Sequence, residues 1–133
     1  MGMTDLVIRP WNSGDRQAVE CLLQLLSADA KLANEDAPTY VAVGAGRVVG
    51  MVTLCVFSTL TGTKAYLDHL VVAPDLRRRG IGRALVQHAI TQARAAGASR
   101  IDLTASGRKH AGRALYEVTG FRERDTRVFR LPL

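Results

Sequence analysis

The chain has 133 residues, 47% hydrophobic, with a formal net charge of +6, a length that predicts one domain over residues 1–133 with a core of its own. No apolar run approaches the ~20 residues of a membrane span and no secretory leader is read, so a cytoplasmic protein is expected. The positive charge raises nucleic acid as a partner, but the basic residues are spread widely and only 5% of the chain is aromatic, so no platform for stacking bases is visible.

Leu6-Val7-Ile8 reads as a first strand ended by Pro10. Asn12 or Ser13 can cap a helix from about Gly14 to Leu26, with Val19, Leu22, Leu23 and Leu26 on its buried face. Ser27 to Pro38 is less regular and reads as a short second helix and a loop. Tyr40–Val43 and Val48–Phe57 are expected as strands joined in a hairpin by Gly44-Ala45-Gly46. Cys21 and Cys55 stand in apolar contexts and read as buried thiols. No Cys/His cluster has the spacing of metal ligands, so no metal is expected.

Ala65–Val72 is the next strand, apolar with little alternation, and so is expected to be covered on both faces. An amphipathic helix from near Gly80 follows, with Leu85, Val86, Ala89, Ile90 and Ala93 in one stripe and Gly97 as its stop. His88 falls on its exposed side. Ile101–Leu103 reads as a short strand, Lys109–Val118 as a last helix ended by Gly120, and Arg127–Leu131 as a closing strand. The order is β-α-(α)-β-β-β-α-β-α-β.

Between the Ala65–Val72 strand and the helix lies Arg77-Arg78-Arg79-Gly80-Ile81-Gly82. A strand, a basic turn and Gly-x-Gly at a helix start make a place to hold phosphate. Free N–H groups point outward there, and the helix dipole favours negative charge. Leu85 stands where a dinucleotide fingerprint has its third glycine, and the Gly-Lys-Ser/Thr of a P-loop is missing. A solvated arginine run is the bland alternative.

Arg77, Gly80 and Gly82 match the Gln/Arg-x-x-Gly-x-Gly/Ala signature of the GNAT superfamily, the acetyl-CoA-dependent N-acetyltransferases. Ala114-Leu115-Tyr116-Glu117-Val118-Thr119-Gly120-Phe121 resembles the family's Leu-Tyr-x-x-x-Gly-Phe block. The resemblance implies an α/β (α+β) fold: a mixed, mostly antiparallel sheet flanked by helices and splayed between strands 4 and 5, here Tyr66–Val72 and Arg100–Thr104. It implies that backbone N–H groups from Arg78 through Arg79, Gly80, Ile81 and Gly82 to Arg83 hold the diphosphate of acetyl-CoA. It further implies that Leu70, Val71 and Val72 meet the thioester carbonyl and pantetheine arm through their main chain. Arg113 stands where many small members carry Asn, and can reach a phosphate or face solvent.

The expected reaction moves an acetyl group from acetyl-CoA to a primary amine by direct transfer in a ternary complex. Tyr116 is the candidate general acid, since a phenol with an ordinary pKa of about 10 stays protonated near neutrality. Asp68 and His69 are candidate general bases, expected to point to opposite faces of their strand. His110 is a weaker candidate. In the family the first helices and loops choose the acceptor, and Asp29, Glu35 and Asp36 lie in that region; a solvated loop is the plainer reading. The acceptor class, small molecule or peptide, stays open, as does a homodimer. Two other readings remain: a CoA-sensing module without catalysis and a basic nucleic-acid-binding domain.

Overall fold

The computed structural model describes residues 5–105 and 110–133. Among these, five strands form one sheet in the order β1-β2-β3-β4-β5. They are β1 (Val7–Pro10), β2 (Thr39–Gly44), β3 (Arg47–Thr59), β4 (Gly62–Val72) and β5 (Ile101–Asp102). Every neighbouring pair is antiparallel except β4 and β5. The helices are α1 (Arg16–Gln24), α2 (Ile81–Ala95) and α3 (His110–Val118). The mixed, mostly antiparallel sheet with flanking helices is the expected architecture.

Local chemistry places the boundaries. Asn12 accepts from the N–H of Gly14, while the Asp15 carboxylate accepts from the N–H of Asn12, a reciprocal cap that starts a 3-10 turn leading into α1. The β2–β3 hairpin turns on Ala45 and Gly46, both left-handed (φ 52° and 73°), as a two-residue turn between right-twisted strands requires. Helix α2 ends in a Schellman motif. Gly97 donates to Arg94 and Ala98 to Ala93, with Gly97 at φ 82°.

Helices α1 and α2 bury opposite sheet faces. Val19, Leu22 and Leu23 of α1 pack on Val41, Met51 and Val71. Ile81, Leu85, Ala89 and Ala93 of α2 pack on Ala42, Val49, Val52, Leu54, Ala65 and Leu67. Burial at alternate positions is the period-2 consequence of strand geometry, and both faces of β4 are covered as its sequence suggests.

Strands β4 and β5 pair only at Ala65↔Ile101 and Tyr66↔Asp102. Beyond Tyr66, β4 continues to Val72 with no strand on that edge among the described residues. This is the expected splay.

Four expectations are corrected. Residues 127–131 form no strand, and Val128 and Phe129 are 68% and 92% exposed. Adjacent apolar residues followed by Arg130 break the alternation a strand needs, and Pro132 has no N–H to donate. No helix forms over 27–38, where Pro38 and a Ser-Ala-Asp opening favour turns. Both cysteines are exposed and unpaired. Cys21 lies on the outer side of α1, and Cys55 on the half of β3 that projects past the core. His88 is half-buried, with its Nε2 enclosed, because its ring packs edge-on against Tyr40 at 4.7 Å.

Candidate active site

The phosphate-type turn follows directly from β4. A single turn of 3-10 helix (Pro74–Leu76) leaves the strand, and Asp75 is gripped by the Arg47 guanidinium at 3.0 and 3.1 Å. The Nε of Arg77 donates back to the Val72 carbonyl at 3.3 Å. Arg78 (φ 64°) and Gly80 (φ 81°) are left-handed, the conformation in which successive N–H groups can face one concavity. Gly80 is the N-cap of α2, and no side chain among the described residues caps it. The N–H groups of Ile81, Gly82 and Arg83 therefore lack intrahelical partners. Arg78, Arg79 and Arg83 are exposed around them, whereas the Ile81 side chain is core. Built on Gly82, a Cβ would stand 3.3 Å from Leu115 Cδ2, a tight contact that the leucine would have to yield to, and 3.7 Å from Val72 Cγ2, so β4, α2 and α3 meet closely at this glycine.

A cleft of about 970 Å³ opens where β4 and β5 part. Tyr66, Leu103 and Thr104 line one side, and Arg113, Tyr116 and Phe121 the other. Tyr66 and Thr104 share a hydroxyl hydrogen bond of 3.0 Å. The Tyr116 ring packs edge-on against Phe121 at 5.9 Å. Burial, and then the negative charge of Asp68, hold the Tyr116 phenol above its ordinary pKa. Arg113 spends its guanidinium on Glu117 at 3.2 Å and Glu123 at 2.6 Å. A phosphate would have to displace these carboxylates.

The pairing of β3 with β4 slips at one place: Met51 faces Val71 and Thr53 faces Asp68. Two residues of β4, His69 and Leu70, thus oppose Val52 alone, and His69 is left-handed at φ 50°. This bulge breaks the alternation that would send Asp68 and His69 to opposite faces. Their side chains meet instead, with His69 Nε2 3.6 Å from Asp68 Oδ2, and the His69 N–H donates to Asp68 Oδ1 at 2.8 Å. His69 lines a second cavity of about 610 Å³ on the α1 face, with Trp11, Val19, Met51 and Thr53. Leu70 and Val72 are half-buried against the α2 cluster and Val71 is buried against the α1 cluster.

The sequence model of the Acetyltransferase (GNAT) family matches residues 4–121. The chain belongs to that family. Among solved structures, an acetyltransferase from Trypanosoma brucei superposes with a TM-score of 0.83 at 26% identity, covering 97% of this chain and 100% of that one. An aminoglycoside N-acetyltransferase solved in complex with CoA shares the fold, with a TM-score of 0.81 at 15% identity over 96% of this chain and 94% of its own. By sequence, the ribosomal protein bS18-alanine N-acetyltransferase of Escherichia coli is 38% identical over 60 residues, 45% of this chain and 40% of the relative. The match spans about two fifths of the length of such sequence relatives.

Seen as a GNAT site, the structure gathers Asp68, His69 and Tyr116 near the point where β4 and β5 diverge, with the Arg77–Arg83 turn at the end of the same strand. Glu35 is taken up by an ion pair with Arg16, and neither Asp29, Glu35 nor Asp36 lines the second cavity. The His110 side chain lies outside the described residues, as does Lys109. No group of three or more metal-ligating side chains occurs among the described residues, and no helix there is long and apolar enough to cross a membrane. Sequence reading missed Trp11, Met51 and Thr53 as cavity walls, because each comes from a different element and carries no local signal. The bulge did leave a trace: Asp68-His69 is a polar pair interrupting an apolar strand.

Proposed function

We propose that this protein transfers an acetyl group from acetyl-CoA to a primary amine within a ternary complex. One observation carries the reading: β4 contributes to two cavities, Tyr66 lining the one that Tyr116 also lines and His69, at the bulge, lining the other. Acetyl-CoA would supply an activated thioester carbonyl. The uncapped N–H groups of residues 81–83 and the exposed Arg78, Arg79 and Arg83 suit its phosphates. The edge of β4 beyond Tyr66 leaves main-chain groups of Leu70, Val71 and Val72 for the arm and the carbonyl oxygen, where fixed N–H donors favour a developing oxyanion.

An alkyl amine with a pKa near 10.4 is ~99.9% protonated at pH 7, so a base must act before nitrogen can attack. His69 lines the acceptor-side cavity and imidazole takes protons in the neutral range. Asp68, whose Oδ2 stands 3.6 Å from the ring, is its positioning residue and would hold the imidazolium once the proton is taken. Tyr116, kept protonated, holds the proton for the departing sulfur. A cytoplasmic site, where the co-substrate and thiols both persist, fits two free exposed cysteines.

Initial rates of CoA release across a grid of acetyl-CoA and amine concentrations test this. Intersecting reciprocal plots support a ternary complex; parallel plots would replace it with a covalent acyl-enzyme. Acetyl-CoA binding without turnover on any amine would favour a sensor. DNA binding that CoA does not displace and salt weakens would favour the nucleic-acid reading.

A further inference from the structure

We infer that the acceptor is a primary amine that carries a carboxylate on an apolar body, and not a polycation. The inference rests on the acetyltransferase reading and concerns the cavity beside His69. Its volume of about 610 Å³ is that of a small-molecule pocket. Its floor is Val19 and Met51, both essentially fully buried, and its walls include Trp11, Leu23 and Leu32. The buried hydroxyls of Thr39 and Thr53 face it but satisfy each other at 3.0 Å. The ionisable residues lining it are Lys31, His69 and Arg130, and no carboxylate is among them.

Of the acids on neighbouring segments, Asp29 and Asp36 adjoin the lining residues Ala30 and Ala37 without lining the cavity themselves, and the others have partners. Asp15 is held by Arg9 at 2.7 Å, Glu35 by Arg16, and Asp68 stands beside His69. Lys31 and Arg130 form no ion pair with a carboxylate among the described residues. A cavity with two uncompensated cations at its lining and apolar walls repels a polyamine or an aminoglycoside, whose charges would be desolvated without a counter-charge. The same cavity suits a ligand whose carboxylate meets Lys31 and Arg130, whose side chain lies on Trp11 and Leu23, and whose amine reaches His69. The positive pair also disfavours the ammonium form of that amine, which aids the deprotonation the reaction needs.

Trp11 is the chain's single tryptophan and lines this cavity, so its fluorescence reports binding without any turnover. The experiment titrates the full chain with phenylalanine, with phenethylamine, which lacks only the carboxylate, and with spermidine. Wild type is set beside Lys31→Glu, Arg130→Glu and the double variant; both positions are exposed, so the fold should persist. The expected result is saturable quenching by phenylalanine, at least tenfold tighter than by phenethylamine, no saturation with spermidine, and at least tenfold weakening in the double variant. Tighter binding of spermidine, equal binding of phenylalanine and phenethylamine, no response to any probe, or indifference to charge reversal would each overturn it. Stabilisation by acetyl-CoA is measured in parallel. Its absence alongside the expected quenching counts against the acetyl-CoA reading and leaves the cavity's preference standing.

Discussion

His69 Nε2 lies 3.6 Å from Asp68 Oδ2, although the two residues are adjacent on one strand, where side chains ordinarily diverge. The bulge at His69, with φ 50°, makes the contact possible. A left-handed residue constrains what can replace it, and Asn is among the few that tolerate this region. His69→Asn should therefore keep the backbone while removing the base. We expect kcat to fall by roughly 10²- to 10⁴-fold, as for loss of a general base, with acetyl-CoA affinity unchanged. Asp68→Asn should lower kcat less, because imidazole remains. A His69→Asn enzyme of normal rate would take the residue out of the mechanism.

Tyr116 carries a second prediction. Burial first, and the Asp68 charge second, raise its pKa. The acid form is thus fully populated below the ordinary value of about 10, and its loss begins only at higher pH. The alkaline limb of the kcat profile assigned to this phenol should lie above pH 10. In Asp68→Asn it should move to lower pH, since one of the two causes is gone. Tyr116→Phe should abolish that limb and reduce kcat by roughly 10²-fold or more. An identical profile in wild type and Tyr116→Phe would show that the phenol only packs against Phe121.

At the turn, Gly82 separates ligand binding from folding only with care, because its substituent would also press on Leu115. Gly82→Val should lose the stabilisation that acetyl-CoA gives, about 2.7 kcal/mol at ~100 times Kd for the wild type. Combining it with Leu115→Ala makes room on α3. If the double variant regains acetyl-CoA stabilisation, the defect of Gly82→Val was packing and the turn does not approach the ligand closely. Continued loss would place the effect on the ligand side.

The difference between what was legible in the chain and what was not follows the range of the interactions. Helix α2, its left-handed Gly80 and its Gly97 stop are local features, and the apolar stripe at Leu85, Val86, Ala89 and Ala93 is readable from spacing alone. The Arg77–Gly82 turn is local too. The meeting of Asp68 and His69 depends on a register slip against β3, which no period in β4 encodes. Lys31 and Arg130 lie 99 positions apart by number (130 − 31) and come to one cavity through the tertiary fold alone. His88 looked solvent-facing by helical phase, yet Tyr40 of β2 covers it.

His88 and Asp15 give two separable pH dependences of stability. Desolvation lowers the pKa of His88, whose buried Nε2 has no hydrogen-bond partner among the described residues. Below the unfolded value near 6.5 the unfolded chain binds the proton more readily, so stability present above that pH is lost as pH falls through the folded pKa. Asp15 has its pKa lowered chiefly by the Arg9 hydrogen bonds, so its contribution is present above ~3.8 and lost in stronger acid. Thermal midpoints from pH 8 to pH 3 should therefore fall in two windows. His88→Phe, which keeps an aromatic ring against Tyr40, should flatten the upper window and leave the lower one. Asp15→Asn should do the reverse and lower the midpoint at neutral pH, since it also weakens the cap before α1, worth about 1 kcal/mol. An upper window unchanged in His88→Phe would assign that loss of stability to another group.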